Sequence, residues 1–255
     1  MPLELFTIPC LADNYAYVLH NAATGKTALV DAPEVEPIAS FLGHRGFELD
    51  DILVTHHHHD HIDGVDALRV KSNARVIGAE IDAHRLPALD LAVSDDDTFE
   101  VCGETCHVIF VPGHSSGHIA FHLPESGYLF SADSLMAFGC GRLFEGTPAE
   151  MWNSLKRLRA LPPETVVCSG HEYTATNAKF ALTIEPGHPA VKARADAVFA
   201  ARERGEPTVP SILGDEVATN PYLRADDEAL KSAIGMPLAT DEEVFAEVRK
   251  RKDNF

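Results

Sequence analysis

The sequence is poor in positive charge and has no long apolar run. Lys and Arg together number 21 against 39 Asp and Glu, which gives a formal net charge of −18. A phosphate backbone requires a basic surface, so nucleic acid is not expected as a general partner. No stretch reaches the roughly 18 apolar residues of a bilayer-spanning helix. The opening MPLELFTIPC also lacks a basic region followed by an apolar one, so neither a membrane span nor a signal peptide is expected.

Cysteine is scarce, and its spacing fits no recognised site. The five cysteines are Cys10, Cys102, Cys106, Cys140 and Cys168. The stretch VCGETC, which contains two of them, fits neither a usual zinc spacing nor a CxxC redox motif. The prediction is therefore a set of buried free thiols in a protein of the reducing cytoplasm.

Histidine, in contrast, is concentrated in one short stretch. THHHHDHIDG (residues 55–64) contains five histidines and Asp60. A purification tag would lie at a terminus and would lack the embedded aspartate. The apolar DILV just before this stretch predicts a short buried strand that delivers ligands at its C-terminal end. At this point a solvated polar loop remains the alternative.

The pattern of elements divides the chain near residue 172. Up to about residue 170 it predicts short strands with occasional helices, in two strand-rich blocks that could form two facing sheets with helices outside. The predicted strands are LELFTI, YAYVLH, KTALVD, DILVT, ARVIGA, TFEVCG, CHVIFV, HIAFHL, GYLFSA and ETVVCSG. After Gly170 strand signals vanish, and alanine-rich helical stretches follow. We expect an α/β domain over residues 1–172 and a smaller helical domain over residues 173–255.

Two capping boxes mark the start of helices in this pattern. Thr147 and Glu150 open one helix, with Pro148 at its first position, and Thr240 and Glu243 open the last.

Three further candidate ligands lie just beyond predicted strands. His114 is in VPGHSSGH, Asp133 is in LFSADS and His171 is in VVCSGHEY. With His56, His58, Asp60 and His61 the candidates number seven. A single catalytic zinc uses about three protein ligands, so seven fit two ions with one bridging carboxylate.

The other histidines are expected to have no part in this centre. His57 and His59 lie between ligands and are expected to point elsewhere. The remaining ones are expected to be surface or satisfied core histidines: His20, His44, His84, His107, His118, His122 and His188.

The only dense positive run is the terminal VRKRKDNF. It is either a solvated helix end, which the helix dipole favours, or a clamp for a small anion.

The THHHHDH stretch matches the T-H-x-H-x-D-H motif of the metallo-β-lactamase superfamily. Within that superfamily the chain resembles the glyoxalase II (hydroxyacylglutathione hydrolase) family along essentially its whole length. The further matching stretches are PCLADNYAY, PGHSSGH, FSADSLMAFGCGRLFEG, SGHEYT, NAKFALTIEP and VRKRKDNF. The resemblance implies an α/β fold, an αββα four-layer sandwich followed by a smaller all-α C-terminal domain.

The resemblance also implies roles for individual residues. His56, His58 and His114 look like ligands of one metal, Asp60, His61 and His171 like ligands of a second, and Asp133 like the bridge. Asp60 and Asp133 would be the catalytic carboxylates. Arg142, Phe144, Tyr173, Arg249 and Lys252 match substrate-binding positions. Two divalent ions per chain are implied, with zinc expected and iron or manganese as alternatives.

The clamp interpretation of the terminal run gains from this resemblance. Glutathione carries two carboxylates, which Arg and Lys bind well. Arg249 and Lys252 are three residues apart, so they share one face of the last helix.

Three positions depart from the family pattern. Phe144 stands where many members have tyrosine and cannot donate a hydrogen bond. Asp63-Gly64 replaces a pair of glycines, and Arg142 replaces the lysine of some members. These departures bear on substrate affinity and leave every predicted metal ligand in place.

The implied reaction is hydrolysis of S-D-lactoylglutathione and related S-2-hydroxyacylglutathiones to D-lactate and glutathione by a hydroxide held by two metals. This would be the second step of methylglyoxal detoxification, carried out by a cytoplasmic monomer on a small-molecule substrate, with no nucleic-acid or membrane partner.

Two alternatives stay open at this level. A glutathione persulfide dioxygenase would use one iron and is expected to lack the helical domain with Arg249 and Lys252. A histidine-rich storage protein needs only ligand density, whereas these ligands recur singly after separate strands, which favours a fixed site.

Overall fold

The structure is a computed structural model that describes residues 3–255. The chain divides into two compact units, one made of the residues up to Phe110 with Ser115–Ala132, the other of Val111–His114 with Asp133–Phe255. The domain boundary predicted near residue 172 lies inside the second unit and stays a prediction.

The first unit contains the two predicted strand-rich blocks. Its elements are β1 (Glu4–Cys10), β2 (Asn14–His20), β3 (Thr27–Val30), α1 (Glu36–Arg45), β4 (Asp51–Leu53), α2 (His59–Ile62), α3 (Val65–Ser72), β5 (Arg75–Ala79), β6 (Leu91–Val93), β7 (Thr98–Val101), β8 (Glu104–Phe110), β9 (Ile119–Leu123) and β10 (Tyr128–Ala132). Strands β1 to β6 form one sheet in chain order, antiparallel up to β3 and parallel from β3 to β6. Strands β7 to β10 pair antiparallel with their neighbours in chain order.

These two sets of strands face each other within the first unit. Strand β2 is buried along both faces. Its Val18 packs in one core with Ile38 of α1 and Leu68 of α3. Its Tyr17 points the other way and contacts Phe130 of β10, with ring centroids 5.7 Å apart. Because alternate residues of a strand face opposite sides, helices cover one face of the first sheet and the second set of strands covers the other.

The second unit is mostly helical. Its elements are β11 (Leu135–Met136), β12 (Gly139–Cys140), α4 (Pro148–Arg159), β13 (Val166–Ser169), α5 (Thr174–Ile184), α6 (Pro189–Glu203), β14 (Ser211–Ile212), α7 (Leu213–Thr219), α8 (Glu228–Ala233) and α9 (Asp241–Asp253). Phe138 is fully buried in a core that α5 and α6 provide. Trp152 of α4 stacks on Phe245 of α9 with ring centroids 6.1 Å apart.

Both predicted capping boxes are present. The hydroxyl of Thr147 accepts a hydrogen bond from the Glu150 amide at 3.2 Å, and that of Thr240 accepts one from the Glu243 amide at 3.3 Å. In each box the glutamate also accepts a hydrogen bond from the backbone N–H of the threonine. Reciprocal bonds of this kind satisfy amides that have no partner inside the helix, so these two helix starts are confirmed.

Strand signals do not vanish after Gly170 as predicted. Strand β14, Ser211–Ile212, pairs antiparallel with β13, and two residues are too few for any periodicity to show. Strand β4 ends at Leu53, two residues before the predicted end. Among the helices of residues 3–255, none combines the length and apolar character that a membrane crossing requires.

Candidate metal centre and substrate face

The histidine-rich stretch begins where the chain leaves the parallel part of the first sheet. The Val54 amide still donates to the Ile77 carbonyl at 2.8 Å. One residue later, the amide of Thr55 donates to Asp31 Oδ1 at 2.9 Å and its hydroxyl donates to Asp31 Oδ2 at 2.8 Å. Asp31 directly follows β3 and has a positive φ of 55°. The carboxylate of one strand end therefore fixes the neighbouring strand end and directs residues 56–61 away from the ladder.

Four of the predicted ligands come together in this first unit. His56 Nε2 lies 3.1 Å from His58 Nδ1, and the rings of His56 and His61 have centroids 4.2 Å apart. His61 Nε2 lies 3.9 Å from Asp60 Oδ2. Ligand nitrogens and a carboxylate oxygen thus converge on a common side of the loop, a donor set that suits a divalent metal ion.

The ring nitrogens on the far side of these histidines are held by hydrogen bonds. His61 Nδ1 lies 2.7 Å from Asp31 Oδ2, and His56 Nδ1 lies 3.0 Å from the hydroxyl of Thr55. Asn14 donates from Nδ2 to both the backbone oxygen and Oδ2 of Asp60, each at 3.0 Å. Partners of this kind orient a metal-binding ring and direct its Nε2 at the ion.

Asp31 and Asn14 were missed as site residues by the sequence reasoning. A signal existed for Asp31, because it is the polar last residue of the predicted strand KTALVD and directly follows the apolar run ALV.

The two intervening histidines point elsewhere, as predicted. His59 is exposed, and its Nδ1 lies 3.2 Å from Asp63 Oδ1. His57 Nδ1 lies 3.1 Å from the buried carboxylate of Asp82. His118 is a core histidine whose ring stacks on that of His56, with centroids 4.6 Å apart.

The Asp63-Gly64 departure from the family pattern has a simple explanation in the backbone. A Cβ at Gly64 would lie 2.9 Å from the carbonyl oxygen of Ala32. The side chain of Asp63 is largely exposed. The second position therefore needs glycine, whereas the first tolerates a side chain.

The second unit brings the other three predicted ligands together. Asp133 Oδ2 lies 3.4 Å from His114 Nε2 and 3.3 Å from His171 Nε2, and all three residues are buried. His114 Nδ1 lies 2.8 Å from the carbonyl oxygen of Arg142, which orients this ring as Asp31 orients His61. One carboxylate oxygen between two imidazoles is the arrangement expected of a bridging ligand.

Gly141 is required by the close approach of these groups. A Cβ there would lie 2.0 Å from the Asp133 carbonyl oxygen and 2.8 Å from His114 Nδ1. No side chain fits at this position without displacing the site.

Three of the predicted substrate residues lie beside these ligands in the second unit. Tyr173 is 39% exposed and stacks on His171, with ring centroids 4.6 Å apart and an interplanar angle of 8°. Phe144 is exposed and meets His114 edge-on, with centroids 5.4 Å apart. The guanidinium of Arg142 lies 5.8 Å from the Phe144 ring centroid. An exposed aromatic and cationic face thus adjoins His114 and His171.

The terminal basic run divides into exposed and inward-facing residues. Lys250 and Arg251 are exposed. Arg249 is only 6% exposed and donates to the Cys140 carbonyl at 3.2 Å and to Asp253 Oδ1 at 2.7 Å. Lys252 is half-buried, with its Nζ 5.3 Å from the Phe180 ring centroid. Burial, with the neighbouring Arg249 guanidinium, lowers the pKa of Lys252 to about 8. The solvated-helix interpretation therefore fits only the exposed pair.

All five cysteines are buried and free, as predicted. Burial raises the pKa of each thiol, to about 11 at Cys140 and to about 12 at Cys10 and Cys102. Neutral buried thiols are poor nucleophiles, so none is a candidate for the chemistry.

Comparison with known proteins separates the possible families. The family model described as Metallo-beta-lactamase superfamily matches residues 12–171, and the one described as Hydroxyacylglutathione hydrolase C-terminus matches residues 172–255. A hydroxyacylglutathione hydrolase from Ruegeria pomeroyi is 59% identical and one from Cereibacter sphaeroides is 58% identical, each over 100% of both chains. The chain belongs to the hydroxyacylglutathione hydrolase family.

Solved structures support the fold of this family. The BLEG-1 B3 metallo-β-lactamase gives a TM-score of 0.68 at 22% identity, over 86% of this chain and 99% of that one. The di-iron-bound form of TTHA1623 gives 0.61 at 26% identity, over 86% of this chain and 100% of that one. The predicted metallo-β-lactamase fold with a helical C-terminal region is confirmed.

Proposed function

We propose that the chain hydrolyses S-2-hydroxyacylglutathiones, with S-D-lactoylglutathione as substrate and D-lactate and glutathione as products. One observation carries the proposal. The region that matches the hydroxyacylglutathione hydrolase C-terminus contributes Arg249 and Lys252, turned inward, in the same unit as His114, Asp133 and His171. A cationic pair and a set of metal ligands in one unit suit a substrate with carboxylates at one end and a thioester at the other.

The proposal assigns two divalent metal ions to the seven predicted ligands. His56, His58, Asp60 and His61 come from one unit, and His114, Asp133 and His171 come from the other. The donor chemistry fits, because each unit presents imidazole and carboxylate groups whose outer partners hold their orientation. When bound there, such ions would supply Lewis-acid chemistry that makes water more acidic and polarises a thioester carbonyl. Zinc is the expected ion, and iron is the alternative because the structurally similar TTHA1623 has a di-iron-bound form.

The protein's own groups divide the remaining tasks. Asp133 and Asp60 supply the catalytic carboxylates, and Asp31 keeps the His61 ring in one orientation. Arg142 and Lys252 provide charge for the glutathione carboxylates. Tyr173 and Phe144 provide the exposed aromatic face beside the histidines, and Phe144 contributes apolar contact alone, because it has no hydroxyl.

Arg249 differs from these in its surroundings. Its guanidinium already binds Asp253 and the Cys140 carbonyl. Its contribution to substrate binding is therefore made from a fixed position.

The proposal also places the protein in the cytoplasm as a monomer. Five buried free cysteines are typical of a reducing compartment and support the first part. Size-exclusion chromatography with light scattering tests the second part.

Thioester hydrolysis by the purified, metal-loaded chain is the direct test. Loss of the thioester absorbance of S-D-lactoylglutathione, with one free thiol released per bond, is the expected result, and Asp133→Ala is the inactive control. Oxygen consumption with glutathione persulfide, in the absence of thioesterase activity, would replace this proposal with the dioxygenase alternative. The full-length likeness to hydroxyacylglutathione hydrolases does not favour that alternative.

A further inference from the structure

Residues 134–141, here named the site hairpin, connect two parts of the candidate site in the second unit. They follow Asp133 and precede Arg142, whose carbonyl orients His114. The hairpin consists of β11 and β12, with Leu135 paired to Cys140. The Gly141 amide returns to the Ser134 carbonyl at 3.4 Å. Because the hairpin is short and both its ends meet the site, the position of its tip determines where Asp133 and the Arg142 carbonyl lie.

The tip of the hairpin holds a backbone conformation that its residue does not favour. Phe138 has a φ of 57°, in the left-handed region where a bulky side chain is disfavoured. Such a conformation is unfavourable for a bulky residue, so other contacts must maintain it. The Phe138 amide donates to Glu216 Oε2 at 2.9 Å, and the Arg194 guanidinium lies 4.2 Å from the centroid of the Phe138 ring.

The carbonyls on either side of the tip are held by amide side chains from the helical region. Asn220 Nδ2 donates to the carbonyl of Met136 at 3.1 Å and to that of Gly139 at 2.9 Å. Asn177 Nδ2 donates to the Ala137 carbonyl at 3.1 Å. Backbone groups of four successive tip residues are therefore bound by side chains that lie 40 to 84 residues away in sequence, and these side chains are themselves buried.

Burying a carboxylate at this contact carries a desolvation cost that its ion pair does not necessarily offset. Glu216 is fully buried, and its second oxygen binds Arg194. Replacing a buried ion pair by apolar side chains is often neutral or stabilising, so a pair of this kind is weak support for stability alone. A carboxylate that accepts from the hairpin amide and from Asn220 fixes the tip in one place, which an apolar contact would not do.

We infer that Glu216 and Asn220 are positioning residues for the metal centre. They act through the site hairpin on the bridging carboxylate of Asp133 and on the carbonyl that orients His114. The helical region would then govern metal affinity and turnover in addition to binding glutathione. The inference rests on the proposed function for the presence of metal ions, and its test uses no substrate.

Two variants and one matched control test the inference. Asn220→Ala removes the donor to the two carbonyls while keeping the Arg194–Glu216 pair, and Glu216→Gln removes the buried charge. Glu185→Gln is the control, because Glu185 is a similarly buried carboxylate of the second unit whose arginine partner is Arg224. Each full-length chain is stripped of metal, and Zn²⁺ affinity is measured by competition with a chromophoric chelator. Thermal unfolding of the stripped chains reports the general loss of stability.

The expected result is a Zn²⁺ affinity weakened about ten- to a hundredfold in Asn220→Ala and Glu216→Gln, as when outer partners of metal ligands are removed. Glu185→Gln should bind Zn²⁺ as the wild type does, even if it melts at a lower temperature. Wild-type Zn²⁺ affinity in Asn220→Ala would overturn the inference, and so would an equal loss in Glu185→Gln. Absence of thioesterase activity in a wild-type chain that binds Zn²⁺ would instead count against the proposed function.

Discussion

Substrate binding should weaken as the pH rises through the pKa of Lys252. This side chain is half-buried between Phe180 and Phe255, and its Nζ donates to the Thr176 carbonyl at 3.4 Å. Burial is the main cause of its low pKa of about 8, the Arg249 guanidinium lowers it further, and the Asp253 carboxylate acts in the opposite direction.

The size of the effect follows from the protonated fraction. With a pKa of about 8, about nine in ten Lys252 side chains are charged at pH 7 and about one in ten at pH 9. If only the charged form binds a glutathione carboxylate, KM should rise about tenfold between these pH values. A charge-assisted hydrogen bond is worth about 1.5–3 kcal/mol, or on the order of ten- to a hundredfold in affinity, so a single contact can account for this rise.

Steady-state kinetics from pH 6.5 to 9.5, about one and a half units on either side of the pKa of Lys252, would measure this rise in KM. Lys252→Arg keeps its charge throughout and should show a flat KM, which also controls for titration of the substrate's own amino group. Lys252→Ala should show a high KM that does not change with pH. An equal rise in wild type and Lys252→Arg would refute the assignment. The pH dependence of stability is a second check. Because the pKa of Lys252 is lower in the folded chain, the unfolded chain binds more protons between about pH 8 and 10.5. The cost of burying the charged side chain should therefore fall, and the free energy of unfolding should rise, as the pH increases across that window.

Three further predictions concern the metal ligands and the last helix. Asp133→Ala should lose metal from both positions in elemental analysis, whereas His59→Ala, which alters an exposed side chain, should keep the wild-type metal content. Two metals and near-normal activity in Asp133→Ala would disprove the assignment of Asp133 as the bridging ligand. Asp31→Asn should weaken metal affinity about ten- to a hundredfold, because its carboxylate orients His61, and unchanged chelator competition would argue against that role. Arg249→Ala should raise KM on the order of ten- to a hundredfold with a small change in kcat, and should lower the melting temperature as well, because it releases the Cys140 carbonyl; the KM effect should shrink for thioesters without the glutathione carboxylates.

The sequence alone was sufficient to locate most elements, and its candidate ligands are residues that the structure brings close together within each unit. Apolar runs and turn residues locate the strands, and the two capping boxes locate the starts of α4 and α9, because these signals depend on neighbours within a few residues. Single histidines and an aspartate that each follow a separate strand predicted a metal centre. The ends of strands meet at the edge of a sheet, where functional side chains usually lie, and histidine with aspartate is a typical set of metal ligands.

Tertiary structure decided which groups hold the site in place. Asp31 reaches His61, Asn14 reaches Asp60, and Glu216 reaches Phe138, across 30, 46 and 78 residues of sequence. Each contact depends on how separate elements pack, and local periodicity carries no information about that. The basic run shows the same limit. Its composition indicated a charged helix end, but only the packing of α9 turned Arg249 inward and left its neighbour Lys250 in solvent.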